Sequence, residues 1–163
     1  MNPVLEKTDT GAYDLNIRKI VVAVDLSHHS AKTAAYAAGF AKSFGASLTL
    51  VHAFAPERVT EFTTPEVHEG YEEEKRATAK ELEKLGDSVR KTYADCDTEF
   101  RVGDPAEEVS LIAEDLDADL IVTASHHPGF LSQLFRIDQA PRILHRARCP
   151  VLVYHEEAEA ALE

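Results

Sequence analysis

Eight histidines occur in 163 residues, and four of them form two adjacent pairs, His28-His29 and His126-His127. Each pair directly follows an apolar run, residues 18–26 and residues 118–125. If those runs are neighbouring strands of one sheet, both pairs stand at the same end of it. Asp25 would stand beside them, with His52 near the end of a third run, residues 47–54. Two or three imidazoles with a carboxylate are a donor set for zinc or nickel. The same groups also suit a pH-sensitive anion pocket, because imidazole titrates near pH ~6.5. Adjacent side chains point in different directions, so at most one member of each pair faces a shared cleft. His68, His145 and His155 belong to no such constellation and read as surface or packing residues.

Nucleophilic chemistry finds less support. Ser27, Ser30 and Ser125 lie near histidines in the chain, but no G-x-S-x-G elbow is present. Cys149 precedes Pro150 at a strand entrance and reads as buried and inert. Cys96 sits in an acidic stretch, read here as a loop, that disfavours its thiolate. The two cysteines are too few for a disulfide framework, and neither belongs to a C-x-x-C pair. The expectation is a binding protein, not an enzyme.

With 44% hydrophobic and 28% charged residues, the chain has the composition of one ordered domain. No apolar run approaches the ~20 residues of a membrane span. The first residues show no basic segment leading into an apolar one, so a soluble, cytoplasmic protein is expected. Twenty-nine acidic residues against 17 basic give a net charge of −12. A field of that sign repels nucleic acid and anionic lipid, which argues against both as partners. Much of the acid lies between Glu57 and Glu83 and in the tail from Glu156.

The elements that must position these groups alternate. Residues 1–17 read as an N-terminal arm, residues 18–155 as one domain, and residues 156–163 as an acidic tail. Valine-rich residues 18–26 have the continuous apolar character of a strand buried on both faces. Residues 27–46 read as a helix, with Ser27 or Ser30 as its cap, Ala34, Ala35, Ala38, Ala41 and Phe44 near one face, and Gly45 after its end. Strand 47–54 follows, then a loop over 55–68 and a helix from Glu69 to about Tyr93 with Ala79, Leu82, Leu85 and Val89 inward. Residues 97–102 alternate as a strand. Asp104-Pro105-Ala106-Glu107 then reads as a cap, a proline at the first helical position and a glutamate at the third. Val109, Ile112, Ala113 and Leu116 form that helix's buried stripe. Residues 118–125 are a fourth strand, 126–138 a long loop with some helical content, 139–147 a short helix and 150–155 a fifth strand. Such alternation predicts an α/β fold, a parallel sheet sandwiched by helices, with ligands bound beyond the carboxyl ends of the strands where the order reverses.

Three segments in this order resemble the universal stress protein family: KIVVAVDLSHHSAKTAAYAAGFAKSFGASLTLVHA, VGDPAEEVSLIAEDLDADLIV and PRILHRARCPVLVYH. The resemblance implies a Rossmann-like sheet of five strands in the order 3-2-1-4-5, akin to the adenine nucleotide alpha hydrolases. It also implies a homodimer paired through the last strand, here Val151 to His155. That strand's edge groups otherwise need water or cover.

Some members of the family bind ATP through G-x2-G-x9-G-[S/T] after the fourth strand. Phosphates need close approach of backbone N–H groups, hence positions without side chains. Aligned on PRILHRARCPV, the four positions fall on Ala124, His127, Ile137 and Asp138. The spacing is kept and the chemistry is not. His127 puts a ring where a glycine belongs, Ile137 a β-branched side chain, and Asp138 a carboxylate in place of a hydroxyl. A carboxylate about 4 Å from a phosphate charge is repelled by roughly 4 kcal/mol at an effective dielectric near 20. The resemblance aligns Asp25 with the aspartate that holds the adenosine portion, and Ala23 and Ala53 with neighbouring pocket positions. With Ala124, Ser125, His127 and Gly129 these make a remnant nucleotide pocket, for which no bound cofactor is expected. Asp25 has a second reading, as an acid favoured by the helix dipole. The family's own histidines match His52 and His126, which therefore need no metal to explain them.

Overall fold

The computed structural model describes residues 4–7, 9, 11, 13–55, 64–125 and 139–155. Among these residues seven strands and four helices follow one another. They are β1 (Leu5–Lys7), β2 (Tyr13–Leu15), β3 (Lys19–Ala23), α1 (Ser30–Phe44), β4 (Ser47–Phe54), α2 (Pro65–Arg90), β5 (Cys96–Val102), α3 (Pro105–Asp115), β6 (Leu120–Ser125), α4 (Gln139–Arg146) and β7 (Val151–His155). The main sheet is parallel throughout, in the order β5-β4-β3-β6-β7. Leaving the short hairpin strands β1 and β2 uncounted, this is the expected 3-2-1-4-5.

The apolar runs are continuous because both sheet faces are covered. Ile20 and Val22 of β3 join Leu48, Leu50 and Val122 in one core with Leu82 and Val89 of α2. Val21 joins Val51 and Ile121 in the other, against Val109 and Ile112 of α3 and Ile143 of α4. Helix α1 lies close on the sheet because the side chains it buries, among them Ala34, Ala37, Ala38 and Ala41, are small. Ala35, expected on that face, is exposed, and Ala37 takes its place. At 100° per residue, Ala37 falls nearer the mean direction of Ala34, Ala38 and Ala41 than Ala35 does. Gly45 ends α1 in the left-handed region at φ 66°, donating its N–H to Ala41 O. In α2, Leu82 and Val89 are buried, Leu85 packs against that core and Ala79 is half-buried.

Four local expectations need correcting. Helix α2 begins at Pro65, four residues before Glu69, because proline is tolerated at a first helical position, where its missing N–H has no partner to lose. Neither Ser27 nor Ser30 is the cap of α1; that position falls on His29, which makes no side-chain cap bond. Cys96 is not in a loop but opens β5 and is buried. Strand β3 stops at Ala23, so Asp25 lies beyond the strand instead of ending it.

Residues 1–17 hold a hairpin that their weak periodicity did not announce. Leu5 pairs with Leu15, Glu6 with Asp14 and Lys7 with Tyr13. Val4 packs against the core, and its carbonyl accepts the Asn16 N–H at 2.7 Å. A two-stranded ribbon is marginal alone, so this anchorage is what holds it. No helix among the described residues is long and apolar enough to cross a membrane.

Candidate functional site

The sheet order reverses between β3 and β6. From β3 the chain moves outward to β4 and β5; it then returns through α3 to β6 and moves the other way. A crevice forms at the carboxyl ends of such a pair. Here those ends carry Ala23, Val24 and Asp25 on one side and Ala124 and Ser125 on the other.

Asp25 is exposed, but its carboxylate is engaged. Oδ1 accepts the Ser27 N–H and the Ser30 hydroxyl, each at 2.9 Å. Ser27 Oγ in turn accepts the His29 N–H at 3.3 Å. This is an Asx-type turn that feeds the chain from β3 into α1. Within it Leu26 has φ 58°, a left-handed conformation that costs a residue with a Cβ roughly 1–2 kcal/mol. Nothing in the sequence announces that strain, since leucine has no preference for the region.

The small residues separate by strand parity. Ala23 packs with Val21 and Val51 on the α3 side, and Ala53, two residues beyond Val51, is buried on the same side. Ser125 has the parity of Ile121 and also belongs to that side. Ala124 has the parity of Val122 and turns toward α1; its register partner Tyr154 stacks there on Tyr36 at 4.8 Å between ring centroids. Ala23, Ala53 and Ser125 thus share a face, and Ala124 leaves it. His126, His127, Gly129, Ile137 and Asp138 lie outside the described residues.

The histidines divide as well. His52 shares parity with Leu48 and Leu50, on the α1–α2 side, where its ring lies 6.1 Å from Phe100. Its Nδ1 is 2.8 Å from Val24 O. A carbonyl only accepts, so Nδ1 carries the proton and the neutral tautomer is fixed, leaving Nε2 as its acceptor. The His28 and His29 rings touch at a 44° tilt, centroids 3.6 Å apart. Among the described residues no three His, Cys, Asp or Glu side chains gather as a metal-ligand set.

Both thiols are pushed away from reactivity. Burial raises Cys96 to about 11, with Arg90 opposing, and burial also raises Cys149. The acidic neighbours of Cys96 act in the expected direction but are secondary to burial.

Two polar features escaped the sequence reading. Asp119 is buried, and its Oδ2 accepts the Arg18 and Lys19 N–H groups at 2.9 and 3.0 Å, tying the entrance of β6 to that of β3. Asp104 does cap α3, accepting the Glu107 N–H at 3.1 Å, but it also binds Arg142 of α4 at 2.8 Å. Burial works against that carboxylate, and the hydrogen bonds from Arg142 and the Glu107 amide outweigh it, holding its pKa below the usual value. The cap was legible from D-P-A-E; the partner on another helix was not.

Comparison with known proteins follows the same lines. The sequence model of the Universal stress protein family matches residues 16–155. The "Universal stress protein in QAH/OAS sulfhydrylase 3'region" of Thermus aquaticus is 30% identical over 138 residues, 83% of this chain and 97% of its own. UspA from Lactobacillus plantarum shares the fold with a TM-score of 0.69 at 21% identity, covering 86% of this chain and 99% of that one. A universal stress protein from Archaeoglobus fulgidus in complex with dAMP does so with a TM-score of 0.57 at 23% identity, covering 85% and 98%. A family match that spans both cores, the switch point and the last strand is decisive: this chain belongs to the universal stress protein family.

Proposed function

We propose that the chain serves stress response or regulation as a homodimer that acts through binding, without catalysis and without a tight grip on ATP. The observation that carries this is the set His127, Ile137 and Asp138 in place of two glycines and a hydroxyl. Each substitution adds bulk or negative charge where a polyphosphate would meet bare backbone. The state of Asp25 supports the same reading. Its Oδ1 already receives two hydrogen bonds from the turn into α1, so the residue has a structural task whether or not a ligand binds. Both thiols are shifted toward the inert form. The dimer contact is β7, an edge strand whose residues 151–154 are apolar or aromatic, half-buried and uncharged.

Isothermal titration with ATP and magnesium tests the nucleotide half. Millimolar or undetectable binding is expected, and micromolar affinity overturns it. A second reading, an adenine-nucleotide sensor, is favoured by small Ala23 and Ala53 on one face at the switch point and by the relative solved with dAMP. A monophosphate needs less of the lost cradle than a triphosphate. AMP binding at micromolar concentration, with ATP much weaker, selects this second reading.

A further inference from the structure

We propose that the acidic tail, residues 156–163, folds back onto the exposed face of α1 in its own chain, with Glu156 or Glu157 on Lys32. The tail lies outside the described residues; its point of departure, His155, is the last residue of β7. The contact goes beyond the reading above and needs no second copy.

Charge is divided across the sheet. α1, β4, β6, α4 and β7 contain no Asp or Glu, while α2, β5 and α3 are rich in both. The tail therefore leaves the sheet among cations. On the α4 side those cations are already answered from α3, by Asp104 on Arg142 at 2.8 Å and by Glu114 on Arg148 at 2.7 Å. On the other side Lys32 and Lys42 are exposed on α1, with Ala31, Ala35, Tyr36 and Gly39 between and beside them. The first turn of α1 holds no acidic residue, and His29 gives it no side-chain cap bond. Negative charge near a helix N-terminus is stabilising. The tail, EEAEAALE, brings four glutamates. Attached beside the site, it meets α1 at an effective concentration on the order of millimolar, which the chain's overall −12 does not prevent.

The strand and the helix set the first contact. α1 joins the parallel strands β3 and β4 and so runs opposite to β7. Tyr36 stacks on Tyr154 at 4.8 Å between ring centroids. One turn before Tyr36, about 5–6 Å along α1, stands Lys32. Two residues after Tyr154, about 6.6 Å on and with the same strand parity, comes Glu156. Both steps lead toward the carboxyl end of the sheet, which brings Lys32 and Glu156 level. Past that point Ala158, Ala161 and Leu162 fall on one side at helical spacing, flanked by Glu157 and Glu159. That side can lie close on α1, where residues 31, 35 and 39 are no larger than alanine. So placed, the tail covers Tyr36, which is 43% exposed without it, and closes the α1 side of the open edge until salt or a competitor lifts it.

Cross-linking of the full chain tests this. A carbodiimide joins a lysine to a carboxylate where the two are in contact, and takes up the water lost. Peptide mass spectrometry of the single-chain band is expected to find Lys32 joined to Glu156 or Glu157, and the link to be lost in about 1 M salt. A second measurement keeps the chain length and removes the charge, with Glu156→Gln, Glu157→Gln, Glu159→Gln and Glu163→Gln combined. Hydrogen exchange at the amides of residues 34–38 of α1 is expected to quicken roughly two- to fivefold, the range an exposed ion pair supports. Absence of a Lys32 link, tail glutamates joined to Lys80 or Lys84 of α2 in its place, a Lys32 link found only in a covalent dimer, or unchanged exchange overturns the proposal.

Discussion

The two edges of the sheet are built on opposite plans. Strand β5 ends one side and β7 the other. Along β5, Asp97, Glu99 and Arg101 share a face, with Arg101 Nε 3.7 Å from Glu99. Thr98 and Phe100 turn the other way, under the 26-residue helix α2. Arg90 of α2 donates to the Cys96 carbonyl at 3.0 Å and pairs with Glu83 and Asp87. An open groove of about 350 Å³ runs here, between Arg90, Asp97 and Glu99, two strands away from the switch point. Strand β7 has no charged residue from Val151 to Tyr154 and is flanked by α4, a helix of only eight residues. Charged side chains and a covering helix make an edge a poor template for a further strand. The difference teaches that this sheet is closed on one side and open on the other.

Val153→Lys tests that contrast most severely. In the proposed dimer it puts an ammonium group on each of two strands that meet along β7, where juxtaposed like charges cost several kcal/mol. The dimer dissociation constant should rise about 100-fold or more, read by light scattering across a dilution series, with the circular dichroism spectrum unchanged. Glu99→Lys on β5 should leave the assembly state as it was. If β5 responds and β7 does not, the contrast has been read backwards.

Much of this was legible in the sequence, and the exceptions share a cause. Both-sided burial shows in the unbroken apolar runs, and the strand over residues 97–102 in its alternation, so all five strands of the main sheet were expected; their order was expected only from the family resemblance. The turn at Gly45 and the cap at Asp104 were equally visible, because each depends on one residue and its immediate neighbours. What could not be read depends on two segments at once. The parity that sends Ala124 to α1 while Ser125 stays with Ala23 and Ala53 needs the sheet register. The bond from His52 to Val24 joins two strands, and Arg142 to Asp104 joins two helices. The hairpin of residues 5–15 hangs on the docking of Val4, a tertiary contact with no periodic signature.

Gly86 sharpens the closed side of the comparison. A Cβ there would stand 2.4 Å from Thr98 Cγ2, a methyl on a β-branched side chain that has little room to yield. Thr98 is held further by its hydroxyl, which donates to Glu83 at 2.5 Å. Glycine to alanine within a helix ordinarily stabilises by about 0.5–1 kcal/mol. Overpacking against a strand costs about 1–3 kcal/mol and should win, so Gly86→Ala is expected to destabilise by about 1–2 kcal/mol in urea denaturation. Gly70→Ala in the same helix meets nothing within 4 Å and should stabilise. Equal responses at the two sites would show that α2 does not press on β5.

The smallest effect concerns what holds α4 beside the open edge. Asp104→Ala removes both the cap of α3 and the partner of Arg142, for a loss of about 1 kcal/mol. Asp104→Asn keeps a good cap and removes only the ion pair. Both side chains of that pair are 34% exposed, so the loss should be about 0.5 kcal/mol. The sign with pH follows from the carboxylate's lowered pKa. A group whose folded pKa lies below its unfolded value, about 3.9 for aspartate, stabilises above that value and ceases to as pH falls through the folded pKa. The gap between wild type and Asp104→Asn should therefore be full at pH 7 and close below about pH 4. Dimer affinity at pH 7 should not change, because the pair joins α4 to α3 and not to β7. A dimer that weakens in step with the lost ion pair would mean that the posture of α4, and not the bare edge of β7, sets the contact.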